Sequence, residues 1–247
     1  MAWPHTPLLT FVDDSTPFVT ADFLNQVQSA INGAYERQFA RMYSWNILPD
    51  NVFGATDDLP EGGWRAHCTA TGTVTTRSAD ATWFHGSLEV ALTSGHAGVR
   101  AIGALWLPTA AQNYRIEGTM QRLTAPGLGS DIVWGLTGET GFGSPLVGDR
   151  AHFSIDQATL MWKCVSSNGV GTETTTTTVA IGTGMHSLRI DLLEATTVRF
   201  YVDGALVATH AASVPNAAVR IAFGTLSPGP GVAATVRFGP LMVSFWP

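Results

Sequence analysis

Lysine is almost missing from this sequence: Lys163 is its only one, and every other basic side chain is an arginine or histidine. Charge of both signs is scarce, at 13% of residues, about half of the roughly 25% usual for a soluble domain. A formal charge of -6 excludes the basic footprint of a nucleic-acid partner or an anionic membrane surface. Low charge density fits a surface partly taken up by subunit contacts; it fits a codon bias toward Ala, Thr and Arg equally well. Cysteine occurs only as Cys68 and Cys164, in no CxxC or zinc-like pattern. That predicts two buried free thiols, with a single bridge between them left open. No stretch approaches the roughly 18 consecutive apolar residues of a membrane span. The opening MAWPHTPLLTF has neither the basic region nor the apolar run of a secretory signal.

Several motifs of chemistry are missing too. The seven histidines are scattered, with no HxH or HExxH pair, and no GxSxG elbow occurs. The glycine-rich GETGFGSPLVG lacks the Lys-Ser/Thr of a phosphate-binding loop. The acidic TDDLPE lacks the spacing of a calcium loop and reads as a solvated turn. Neither a cofactor nor a metal is expected.

What is present begins with a proline-bearing arm over residues 1–19 and one helical pattern, TADFLNQVQSAINGAYERQFARMY. Thr20 suits the N-cap, and Asp22 lies where the helix dipole favours an acid. Leu24, Val27, Ile31, Tyr35, Phe39 and Met42 follow at spacings of three or four and share one face. Gly33 within that run costs about 1 kcal/mol relative to alanine. The stripe must be buried, on the chain's own domain or on copies of itself or a partner; the second is the expectation adopted. Residues 1–45 are thus expected to attach and oligomerise, and 46–65 to form a turn-rich neck.

From about Cys68 the chain reads as short strands separated by Gly, Pro, Ser and Asn, which suggests a β-sandwich or barrel. In YRIEGTMQ, Tyr114, Ile116 and Met120 alternate with Arg115, Glu117 and Gln121. In HSLRIDLLE, Leu188, Ile190 and Leu192 share a side. The threonine-rich TETTTTTVA suits a half-exposed edge strand. Within VRFYVDGALVATH, Asp203-Gly204 supplies the positive φ angles of a type I′ hairpin turn. That turn predicts Val202 opposite Ala205 and Phe200 opposite Val207. It makes Asp203 turn chemistry and leaves His210 exposed beyond the paired residues.

The hairpin resembles the recurrent v.FYVDG.lv of concanavalin A-like jelly-roll domains, as in laminin-G modules, legume lectins and family-16 glucanases. The match runs from Phe200 to Val207, with Pro215 and the strand Val219–Phe223 following in order. The resemblance covers residues 185–247 and implies an antiparallel β-sandwich over 66–247. TPFVTADFLNQVQSAINGAY is similar to the opening of many bacteriophage tail, baseplate and fibre proteins, through Thr20, Ala21, Leu24, Asn25, Ile31 and Asn32. It implies a virion location, a homotrimer and other virion proteins as partners.

Family-16 glycosidases carry a Glu-x-Asp-x-x-Glu strand, and retaining hydrolysis needs two carboxylates about 5 Å apart. No such triplet occurs: Asp191 and Glu194 fall on opposite strand faces, and SIDQ and SLEV hold one acid each. Sugar binding through aromatic rings stays open, with Trp83, Phe84 and His85 clustered near a turn as candidate contacts. The sequence therefore predicts a non-enzymatic phage protein, an all-β sandwich behind an arm and one helix, that binds host-surface glycan or serves as scaffold. A glycoside hydrolase or lyase with atypical acids is the alternative, beside a bacterial carbohydrate-binding module and a capsid decoration protein.

Overall fold

The computed structural model describes residues 41–43, 52–53, 64–68, 72–77, 82, 87–92, 95–101, 113–124, 131–138, 147–156, 158–227 and 234–246. They form strands β1 (Arg41–Tyr43), β2 (Val52–Phe53), β3 (Trp64–Cys68), β4 (Thr73–Arg77), β5 (Ser87–Leu92), β6 (Gly95–Ala101), β7 (Asn113–Arg122) and β8 (Asp131–Thr137). The second half adds β9 (Asp149–Asp156), β10 (Met161–Asn168), β11 (Thr172–Ala180), β12 (Met185–Leu193), β13 (Thr197–Val202), β14 (Ala205–His210), β15 (Arg220–Ser227) and β16 (Ala234–Trp246). Two antiparallel sheets make a sandwich. One runs β14-β13-β12-β7-β16-β5-β4-β2, with β1 also on β16; the other runs β11-β10-β9-β8-β15-β6-β3.

Period-2 alternation decides which side chains fill the space between the sheets. Tyr114, Ile116 and Met120 of β7 and Leu188, Ile190 and Leu192 of β12 are wholly buried, as the sequence pattern predicts. Trp64, Trp134, Trp162, Phe153, Phe200, Phe223 and Phe238 meet them from both sheets. Phe153 is the hinge of this packing: its ring lies 6.0 Å from Trp134, 5.8 Å from Trp162 and 5.3 Å from Phe200, within the range of tilted and edge-on aromatic pairs. Cys68 and Cys164 are buried and not joined in a disulfide. The threonine-rich β11 is the terminal strand of its sheet, with Thr172, Thr174, Thr176 and Thr178 outward.

Three features depart from the sequence pattern. Met42 was expected on a helix, yet Arg41–Tyr43 is a strand paired with Leu241–Val243 of β16. Sheet pairing with the long last strand overrides the helical period there. Leu24, Val27, Ile31, Tyr35 and Phe39 lie outside the described residues. Likewise Val52–Phe53 and Trp64–Arg65, expected in the neck, belong to β2 and β3.

The third departure is in the β13–β14 hairpin. Asp203 (φ 51°) and Gly204 (φ 81°) make the expected two-residue turn, and Val202 pairs with Ala205. A register shift between Phe200 and Tyr201 then sets Phe200 opposite Ala208 rather than Val207. One extra residue on a strand moves everything beyond it to the other face. His210, expected outside, is wholly buried as a result. Its Nδ1 lies 2.8 Å from Ser166 Oγ and its Nε2 3.0 Å from Thr175 Oγ1, so it ties β14 to β10 and β11 of the opposite sheet.

Candidate functional site

The outer faces of the two sheets differ. On the nine-stranded sheet, the outward residues of β7 and β12 form ion pairs in reach of solvent. Arg115 donates to Asp191 at 2.7 and 3.0 Å, Arg189 Nε lies 3.5 Å from the same carboxylate, and Glu89 joins Arg77 to Arg237. Both guanidiniums beside Asp191 cover rings, Arg189 at 3.6 Å from the Tyr201 centroid and Arg115 at 5.1 Å from Trp246. Each cluster sets two arginines against one carboxylate.

On the seven-stranded sheet the outward face is buried at its middle, while the threonines of β11 stay exposed. In β9, Ala151, Phe153 and Ile155 point into the core, so Arg150, His152, Ser154 and Asp156 point out. Yet His152 is only 5% exposed and Ser154 2%. Val133, Val165 and Ala222 are buried but stand apart from the core cluster, because their positions on β8, β10 and β15 face outward too. Register brings these residues together. His152 lies between Gly135 and Val165, Ser154 opposite Lys163, Arg150 between Thr137 and Ser167, and Thr137 opposite Arg220. Toward β6 and β3 the face continues through Ala222 and Gly224 to Gly98, and ends on Arg65 and His67.

At the centre of this face, the His152 Nδ1 is buried without a hydrogen-bond partner. An imidazole nitrogen in that state costs about 1–3 kcal/mol, so folding alone does not favour it. Gly135 beside it allows the approach of strands: a Cβ there would clash with the Ala151 carbonyl oxygen and lie 2.6 Å from His152 Cα. Burial pushes the His152 imidazole down to about 3, with Arg150 and Lys163 adding to the shift, so the ring is neutral near pH 7.

The acids bordering the face hold backbone. Asp131 Oδ1 accepts from the N–H groups of Ile132 and Ile155, both at 2.8 Å, while burial raises its pKa. Asp156 accepts from Ala158 N–H at 3.0 Å and Thr176 Oγ1 at 2.9 Å, which lower its pKa. Asp149 Oδ2 accepts from Asn216 and Ala217 N–H at 2.6 and 2.8 Å. Each carboxylate is engaged in shaping the fold. Arg150 is fixed by donating to Gly148 O at 2.9 Å and Thr172 Oγ1 at 3.2 Å. Burial drives the Cys164 thiol up to about 12, too high for a thiolate nucleophile. Among the described residues no group of three or more His, Cys, Asp or Glu converges to hold a metal.

The residues singled out from sequence are not at this face. Trp83, Phe84 and His85 lie outside the described residues. Trp64, Trp134 and Trp162 fill the core, and Trp246 is on the outer face of the other sheet. Asp203 holds its turn by accepting from Ser187 N–H at 2.9 Å and meeting His186 Nδ1 at 2.8 Å. His152 went unread, although the alternation in RAHFSID already set it beside Arg150 and Ser154 on one strand face.

No protein-family profile and no curated protein matches the sequence. Solved structures do. The β-glucanase of Bacillus licheniformis is similar over 81% of this chain and 99% of its own, at 16% identity and a TM-score of 0.53. The chain has the concanavalin A-like jelly-roll fold. The carbohydrate esterase of the Shiga toxin-encoding bacteriophage phi24B is similar over 82% of this chain and 98% of its own, at 12% identity and a TM-score of 0.53. Alginate lyase AlyC3 is similar over 65% of this chain and 75% of its own, at 10% identity and a TM-score of 0.50. Identities this low carry the fold alone. The expectation of a non-enzymatic chain is corrected, because the three similar structures named here are a glucanase, an esterase and a lyase.

Proposed function

We propose that this chain acts on carbohydrate through the outer face of its seven-stranded sheet, with His152 at the centre, and that it is carried on a phage particle. The observation that carries the reading is the His152 Nδ1 without a partner, beside Arg150 and Ser154 on the outward side of β9. A pre-formed polar group that the fold leaves unsatisfied is suited to a ligand's hydrogen bond. The glucanase, esterase and lyase of the same fold support carbohydrate as that ligand. Paired-carboxylate hydrolysis has little support, since the outward positions of β9 from Arg150 to Ser154 hold no acid, and Asp131 and Asp156 accept hydrogen bonds from backbone N–H groups. For the particle, support comes from the tail-like N-terminal motif and from the phage esterase. Attachment through residues 1–45 and a homotrimer belong to the same proposal.

The test is a panel of neutral, acidic and acetylated polysaccharides, followed for binding, chain shortening and acetate release with the full chain and His152→Gln. Binding or turnover of at least one glycan, weakened at least tenfold by the substitution, is expected. Indifference to every glycan, or an unaffected variant, would overturn the proposal.

A further inference from the structure

We infer that the outer face of the nine-stranded sheet seats a segment of the chain's own arm, Thr6 to Phe18 (TPLLTFVDDSTPF), with Asp13 and Asp14 against Arg199. This contact lies on the other sheet from the glycan face and does not depend on that reading. Register lays the surface out. Across β14, β13, β12, β7 and β16 one row runs Leu206, Tyr201, Arg189, Glu117 and Met242. The adjacent row runs Thr209, Arg199, Asp191, Arg115 and Ser244. Leu206 and Met242 are exposed, and so is Met185, opposite Gln121 on the same side of β12. Among the described residues, no large apolar side chain is exposed on a strand of the seven-stranded sheet. Arginine, methionine and aromatic rings without lysine are the make-up of a protein contact more than of a solvated surface.

Charge says what covers it. Arg115 and Arg189 already meet Asp191. Arg199, exposed on β13, meets no acid among the described residues, although its register partner is that same Asp191. The face therefore offers an open cation beside Tyr201 and exposed Leu206. Thr6–Phe18 has the complementary make-up: Asp13 and Asp14 are its only charges, and Leu8, Leu9, Phe11, Val12 and Phe18 supply apolar surface. The other paired acids, Asp57 and Asp58, are too far away. Six strand spacings separate β2 from β13, about 29 Å, and Asp58 lies five residues past Phe53, about 18 Å at full extension. From β1 the distance to β13 is four spacings, about 19 Å. Asp14 precedes Arg41 by 27 residues, enough to span it even at the 1.5 Å rise of a helix. A tether of that length holds the arm near its own sheet at an effective concentration that a separate copy does not match.

The experiment places the photo-crosslinker p-benzoylphenylalanine at Phe11 and, separately, at Phe18 of the full chain. Heavy-isotope and unlabelled protein are mixed equally, and the products are mapped by mass spectrometry. Crosslinks within one molecule, to the β12–β14 stretch from Met185 to His210, are expected. Arg199→Glu should lower their yield at least fivefold without moving the melting temperature, because that side chain is exposed. Adding Asp13→Arg and Asp14→Arg to that variant should restore the yield. Crosslinks to other elements from both positions, crosslinks only between molecules, or none from either position would overturn the seat. A yield unmoved by Arg199→Glu would overturn the pairing of the arm's acids with that arginine.

Discussion

A histidine held neutral inside a fold makes stability depend on pH, and His152 is the strongest case in this chain. Its unfolded-state value is 6.5 and its folded value is about 3, depressed by burial and by Arg150 and Lys163. Between those two values the unfolded chain binds a proton that the folded chain does not. The stabilisation is therefore complete above about pH 6.5 and falls away as pH drops toward 3. At about 1.4 kcal/mol per unit, the loss reaches about 5 kcal/mol over that window. His210, also depressed by burial although Glu173 opposes the shift, adds loss in the same direction. Urea titrations from pH 7 to pH 4 should show the midpoint falling steadily, and His152→Gln should flatten part of that slope. An unchanged slope in the variant would mean that His152 is not the group responsible. Neither residue's burial was legible in sequence. Alternation shows which side of a strand a side chain takes, but only tertiary structure decides whether that side meets water.

At the scale of elements, the sequence pattern succeeds where local chemistry is decisive. Tyr114, Ile116 and Met120 alternate without interruption, and β7 is a central strand of its sheet. Asp203-Gly204 takes the φ angles of the turn it predicts. The pattern fails at the bulge between Phe200 and Tyr201, because nothing in RFYVDGALVA distinguishes a shifted ladder from a regular one. It fails again at Met42, where three residues answer to a partner about 200 positions away rather than to their neighbours. The turn itself can be tested. Asp203 combines a positive φ with acceptance from Ser187 N–H and contact with His186. Asp203→Ala should cost about 1–2 kcal/mol, read as a lowered denaturation midpoint. Asp203→Asn tolerates the same φ and keeps an acceptor, so it should cost less than half as much. Equal losses in the two variants would show that the His186 contact, rather than the turn, carries the stability.

For the whole molecule, the decisive question is where the sandwich begins. The sequence suggested a division at residue 66, but β1 and β2 bring Arg41–Tyr43 and Val52–Phe53 into the nine-stranded sheet. β1 lies along Leu241–Val243, a segment that β7 covers from its other side. Without β1, the β16 backbone loses partners on that edge, and Leu241 and Val243, each 2% exposed, lose shielding. A chain covering 41–247 should therefore keep the full sheet, while one covering 44–247 should be less stable. Three residues of sheet pairing correspond to about 1–3 kcal/mol. In a domain of this size that is a drop of roughly 3–10 °C in Tm. If the apolar stripe of residues 24–39 holds subunits together, light scattering should give a trimer for the full chain and a monomer for 41–247. Both truncations melting alike would remove β1 from the sandwich, and a trimer persisting in 41–247 would move the subunit contact onto the sheets.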